Sequence, residues 1–367
     1  MRSLEEYIRR QTHASVSESL LDVGDDSITS RVDVIMIEKW IKENYNVHGS
    51  LSYMVDRSGD IKVSVNGNIL VANYELESLT NGSFVFDTVT GSFSCALCDC
   101  LKSLDGCPRV VGGDFRCASC TGIESFKGAP EEIGGDFDCS YCTLISSFEH
   151  IPRTINGMFR CNYCDNIVVF KGLPDVIKGG FSCCNCCNLE SLKGVPKYVG
   201  EEFLCTDCPK LYSLEGSPKK VAMFDCSRCT KIESLEGAPE IVSVFNCTEC
   251  EKLKTLKGAP KKIIKSDYKI LGRTASWFKC SLCPRLKSLE GSPKEVDGNF
   301  ICNKCTNKDF TTLKGVSQTI TGWLSCNECE NLMTLSGIGD VYTVEVFRCK
   351  KLVVSEAEMV KYNIVGL

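Results

Sequence analysis

Leu189-Glu190-Ser191-Leu192-Lys193-Gly194-Val195-Pro196-Lys197-Tyr198-Val199-Gly200-Glu201-Glu202-Phe203-Leu204-Cys205-Thr206-Asp207-Cys208 is one unit of a pattern that fills most of the chain. Its closing run, Phe-x-Cys-x-x-Cys, also begins at Phe93, Phe115, Phe137, Phe159, Phe181, Phe224, Phe245, Phe278 and Phe300. Leu324 replaces the phenylalanine in the next copy, and Phe347 opens a last one. Most steps are 22 residues, with two of 21, one of 33 between Phe245 and Phe278, and two longer ones of 24 and 23 at the end. Nine of the eleven prolines, from Pro108 to Pro293, fall at one position of the unit. Self-similarity at this period identifies stacked units, none of which can bury its apolar side alone.

One unit reads as one coil of a solenoid. In Gly-x-Phe-x-Cys apolar and polar residues alternate, the period of a short strand with Phe and Cys turned inward. Leu-x-Ser-Leu adds two more inward side chains. Gly-x-Pro then directs an extended return, because proline lacks a donor and disfavours helix in the residue before it. Twenty-two residues leave little room for a strand and a full helix, so short 3₁₀ or extended convex segments are expected. Twelve coils at the ~4.8 Å spacing of neighbouring strands give one parallel sheet about 55 Å long.

The unit Leu-x-Ser-Leu-x-Gly-x-Pro-x-x-Val-x-Gly-x-Phe-x-Cys-x-x-Cys resembles a leucine-rich repeat. Phe and the first Cys stand at the two apolar strand positions, and the second Cys stands where many such repeats carry an asparagine. The period and the return-path proline are similar to those of the short bacterial type. The wording Ser234-Leu235-Glu236-Gly237-Ala238-Pro239 resembles leucine-rich repeat proteins encoded by large tailed bacteriophages. The resemblance covers about residues 93–352. It implies a superhelical solenoid with one long parallel β-sheet, and a viral protein whose work is binding rather than catalysis.

Composition narrows the rest. The 367 residues are 43% apolar and 24% charged, which suits a core-forming chain. Twenty-seven cysteines against three histidines is the outlying count, and it is odd, so at least one thiol is outside any intramolecular disulfide. No stretch of signal-peptide type follows Met1-Arg2, and no run approaches the roughly 18 apolar residues of a membrane span. A setting in the host cytoplasm or the virion is expected, neither secreted nor membrane-bound. A charge of −5 argues against general attraction to nucleic acid or anionic membrane.

Three readings compete for the cysteine columns. Cys-x-x-Cys is half of a Cys₄ zinc site, and adjacent coils would bring halves together, for instance Cys117 and Cys120 with Cys139 and Cys142. Strand spacing also falls within the Cα separation of a disulfide. Alternatively these are small buried groups whose weak S–H donors meet backbone carbonyls. The imperfect end copies favour the last reading: Leu352 stands three residues after Cys349, and Ile69-Leu70-Val71 puts valine where the first Cys belongs. A core position accepts that exchange and a ligand position does not. Free thiols without a cofactor are therefore expected. Of the four cysteines outside the columns (Cys100, Cys107, Cys184 and Cys187), Cys184 faces outward and is expected to be the most reactive.

The ends read as caps. Residues 1–27 form an acidic leader with a short helix capped by Ser3 and Glu6, resembling leaders of other large-phage proteins and offering a docking or virion-attachment peptide. Residues 28–68 hold a helix of about Ser30 to Tyr45 with Val34, Ile37, Trp40 and Ile41 on one side. A hairpin follows, Leu51–Val55 with Ile61–Val65. The coils occupy 69–354, with an insertion at about 264–275, and 355–367 closes the stack with a helix capped by Ser355 and Glu358.

No catalytic constellation is present, so no enzyme activity is expected. The residues flanking the inward Phe and Cys define an outward face. It is polar at first, with Asp114 and Arg116, Asp136 and Asp138, Arg160 and Asn162. Further on it becomes large and apolar, with Leu204, Met223, Val244, Trp277, Ile301 and Trp323. Such stripes mark interaction sites. A protein partner of unknown identity is expected there, with Arg116 and Arg160 among the flanking charges.

Overall fold

Each coil can be followed through the residues around Phe137. Glu132–Ile133 is a short strand, Gly134-Gly135 turns a corner, and Phe137–Asp138 is a second strand of the same sheet. The corner packs backbone on backbone: a Cβ on Gly134 would lie 2.0 Å from the Gly112 carbonyl oxygen. Cys139 ends the strand, Tyr141 takes a left-handed conformation (φ 64°), and the chain turns so that Cys142, Ile145 and Phe148 also point inward. Serine in Leu-x-Ser-Leu has a structural task the pattern does not announce. Its hydroxyl accepts the N–H two residues on, as Ser125 does from Lys127 at 3.2 Å, and so fixes the bend into the return path. That path is made of turns and extended links, with no 3₁₀ segment among the described residues.

The structure, a computed structural model, describes residues 28–367 except 271, 272 and 275. The leader 1–27 and the docking role attached to it lie outside these residues. The coils stack as a β-solenoid with one long parallel sheet, and inward columns keep strict register: Phe93 pairs with Phe115, Phe115 with Phe137, and so on to Leu324. Phenylalanine rings form a ladder from Phe93 to Phe300 with centroids 5.0 to 5.8 Å apart. The 21-residue coils lose their residue at the corner, where Ala222 alone joins Val221 to Met223, so the core columns are undisturbed.

The caps begin with helix α1 (Ile28–Asn44), which buries Ile37 and Ile41 and half-buries Val34 and Trp40. Strands β1 (Tyr45–Val55) and β2 (Ile61–Val71) form the expected hairpin, in longer form. Strand β2 is shared between cap and solenoid, since its end Ile69–Leu70 pairs in parallel with Phe93–Ser94. Trp40, Phe84, Tyr45 and Phe86 extend the aromatic ladder into the cap, and the Tyr45 hydroxyl donates to the Leu79 carbonyl at 2.6 Å.

The other end corrects the register read from sequence. Phe347 is exposed; Val344 pairs with Leu324, Val346 occupies the first-Cys position and Cys349 the second. Cys349 donates to the Cys326 carbonyl at 3.0 Å, as the second-column thiols from Cys120 onward do to their own neighbours. Phe-x-Cys imitates the motif three residues out of step, and only burial separates the two. Helix α2 (Glu356–Lys361) has the expected Ser355 capping box but buries no residue, and the strand Asn363–Val365 beyond it adds a rung against Thr343–Glu345. Closure is therefore by Tyr362 and this strand.

Candidate functional site

The outward residues divide along the stack by what they do internally. At the start of the stack the residue before the Phe supports the next coil: Ser92 Oγ accepts the Asp114 N–H at 3.0 Å, Asp114 Oδ1 accepts that of Asp136 at 3.0 Å, and Asp136 Oδ1 accepts that of Met158 at 2.8 Å. The same carboxylates hold the arginines expected to meet a partner. Arg116 pairs with Asp114 at 2.8 Å and Arg160 with Asp136 at 2.6 Å. Burial opposes ionisation of Asp136, but the Arg160 guanidinium and the Met158 N–H outweigh it and hold its carboxyl below the usual range. Much of the polarity of this half is thus coil-to-coil support.

In the second half the stripe is exposed only in part, because the insertion folds across it. Lys269–Ile270 and Arg273–Thr274 form an antiparallel hairpin. Ser266 Oγ meets Ser243 Oγ at 2.7 Å, and the Tyr268 hydroxyl donates to Glu202 and lies 3.5 Å from Met223 Sδ. Burial together with the Glu202 carboxylate pushes the Tyr268 phenol up. Val244 is consequently buried, a correction to its place on the open surface, and Met223 is half-buried below Tyr268. Leu204, Trp277 and Ile301 are half-buried, and Trp323 is 43% exposed.

What the insertion covers at Val244 it encloses beyond. Between the hairpin and the sheet lies an open cleft of about 940 Å³. Trp277, Ile301 and Trp323 line one side, and Lys265, Ile270 and Thr274 line the other. Trp277 pairs with Asn299, and Asn299 Oδ1 accepts the Trp323 backbone N–H at 3.2 Å, so the tryptophans stand two rungs apart with Asn299 between them. The stripe was legible in the sequence. Its wall was not, since an 11-residue excess gives length without direction.

The cysteines do not fit a zinc site. Cys120 donates to the Cys95 carbonyl at 3.0 Å, Cys142 to Cys117 at 3.2 Å, and Cys139 to Arg160 at 3.2 Å. These are thiols in use as donors, whereas a zinc ligand is a thiolate. Burial pushes Cys117 and Cys139 far up, and no group of three or more His, Cys, Asp or Glu among the described residues is arranged around an ion. Cys184 is half-buried with Ser182 Oγ at 3.4 Å, while Cys100 and Cys187 are the exposed thiols.

No family model matches the chain, and neither a curated protein nor a solved structure matches it. No described helix is long and apolar enough to cross a membrane.

Proposed function

We propose that this protein is a non-enzymatic binding scaffold that holds a protein partner in the cleft between the insertion hairpin and the Trp277–Ile301–Trp323 stripe. The observation that supports the reading is the cleft itself. Two tryptophans on the outward side of the sheet keep solvent access, and the one long insertion in the chain stands beside them. Large aromatic side chains that keep solvent exposure on a rigid element are the usual anchors of interfaces. The repeat wording supports a further part of the proposal: the scaffold is of leucine-rich repeat type and phage-encoded, acting in the host cytoplasm or the virion. In that comparison the second cysteine takes over the task of the repeat asparagine, since its thiol satisfies a buried carbonyl of the coil before.

The test is affinity capture from bacterial host lysate with the wild type and a Trp277→Ala/Trp323→Ala double variant whose fold is checked by circular dichroism. A specific partner is expected to be recovered at least tenfold less by the variant. Equal recovery would remove the site.

A further inference from the structure

We infer that the cleft receives a proline-rich segment in polyproline II conformation, lying along the solenoid axis and across the strands; this deepens the partner-binding reading and rests on it. Spacing is the first reason. Trp277 and Trp323 lie two rungs apart, with Asn299 on the rung between. Two parallel-strand spacings amount to ~9.6 Å. A polyproline II chain rises ~3.1 Å per residue and returns to the same face every third residue, at ~9.3 Å. A β-strand returns at ~6.8 Å, and an α-helix at ~6 Å or ~10.5 Å. Prolines three residues apart therefore meet both indoles in step.

Hydrogen-bond complementarity is the second reason. No partner for the Trp277 or Trp323 indole N–H or for Asn299 Nδ2 is found among the described residues, and Lys279 on the same wall has no ion-pair partner among them. The floor thus presents donors without acceptors, while the one carboxylate of the lining, Asp267, belongs to the insertion opposite. A polyproline II segment leaves its backbone carbonyls unpaired, and its prolines bring no N–H, so it presents acceptors to those donors. A helix has already used its carbonyls internally. The floor offers no edge to an added strand, because the rungs at Trp277, Asn299 and Trp323 are all paired within the long sheet.

The test is a fluorescence titration of the full chain with synthetic peptides. Trp40 is packed against Phe84 in the cap, so a ligand-induced change reports Trp277 and Trp323. Peptides of equal length and composition carry prolines at Pro-x-x-Pro, Pro-x-Pro or Pro-x-x-x-Pro spacing, beside a helical and a strand-forming control. Pro-x-x-Pro is expected to bind at least tenfold tighter than every other arrangement, and Trp277→Ala or Trp323→Ala to weaken it at least tenfold. Absence of saturable binding, or binding indifferent to proline spacing, overturns the inference. If a helical or folded partner instead binds and is lost on Trp277→Ala/Trp323→Ala, the partner-binding reading stands while the polyproline one fails.

Discussion

A cysteine in this protein is two different residues depending on its column. First-column thiols fill space, and the carbonyls that some of them reach, such as Arg160 from Cys139, already accept a backbone N–H; at the ends of the stack Val71 and Val346 take the same position. From Cys120 to Cys349 the second-column thiols close a corner, each donating to the carbonyl of the first-column residue one coil back. The Cys142 thiol is the only donor to the Cys117 carbonyl among the described residues. Cys142→Ala leaves that buried carbonyl unpaired, which costs about 1–3 kcal/mol. Cys183→Val keeps the column filled and costs less than about 1.5 kcal/mol. Urea unfolding of the two variants is expected to rank Cys142→Ala clearly below Cys183→Val, with Cys142→Ser close to wild type. The reverse order would show that the columns do not divide the work this way.

Among the elements, the convex turn repeats most strictly, and one coil departs from it. Gly106, Gly128, Gly172, Gly194, Gly216, Gly237, Gly258 and Gly291 share a left-handed φ, and in the coil between Gly128 and Gly172 the same place is held by His150 with φ 72°. Space is scarce there: a Cβ on Gly172 would lie 2.5 Å from the Glu149 nitrogen. A non-glycine residue in this conformation carries ~1–2 kcal/mol of strain. His150→Gly is therefore expected to raise stability by about 1 kcal/mol, read as a higher unfolding midpoint. A fall would mean that the imidazole makes compensating contacts. The insertion is the second element outside the pattern, and deleting residues 265–275 restores a 22-residue step. The shortened chain is expected to keep the Val244–Trp277 pairing and its circular dichroism while losing the partner.

At the scale of the whole molecule the thiol core sets an alkaline limit. Burial raises the thiols of Cys161, Cys183 and Cys280 well above their usual value, and that of Cys205 to about 12. An unfolded thiol titrates near ~8.5. Below that pH both states keep their protons and the contribution is complete. Above it the unfolded chain releases protons that the folded chain retains, so each such thiol removes ~1.4 kcal/mol of stability per pH unit. Ten thiols remove on the order of 14 kcal/mol per unit, as much as the whole net stability of a typical domain. Loss of structure is expected within about two units above the thiol pKa, followed by circular dichroism under reductant in fine pH steps. A chain still folded at pH 12 would rule out a core of protonated thiols.

The fold was readable because its signal is repetition: Phe, Cys, Leu and Val recur in phase, and a residue in phase eleven times over has no alternative face. Coil geometry, the hairpin and the Ser355 cap follow from local spacing and turn chemistry, which the sequence states directly. The last coil was misread because Phe347-x-Cys349 satisfies the motif locally, while burial of Val344 and Val346 is decided by the neighbouring rung. The exposed stripe was likewise legible as Trp277, Ile301 and Trp323 by strand alternation. By itself the sequence determined which residues face inward in every coil but the last, since periodicity is a property of the chain. Only the tertiary structure decided which outward residues remain accessible, because the insertion that walls the cleft is laid across the sheet by contacts between distant positions, Ser266 with Ser243 and Tyr268 with Glu202, 66 residues away.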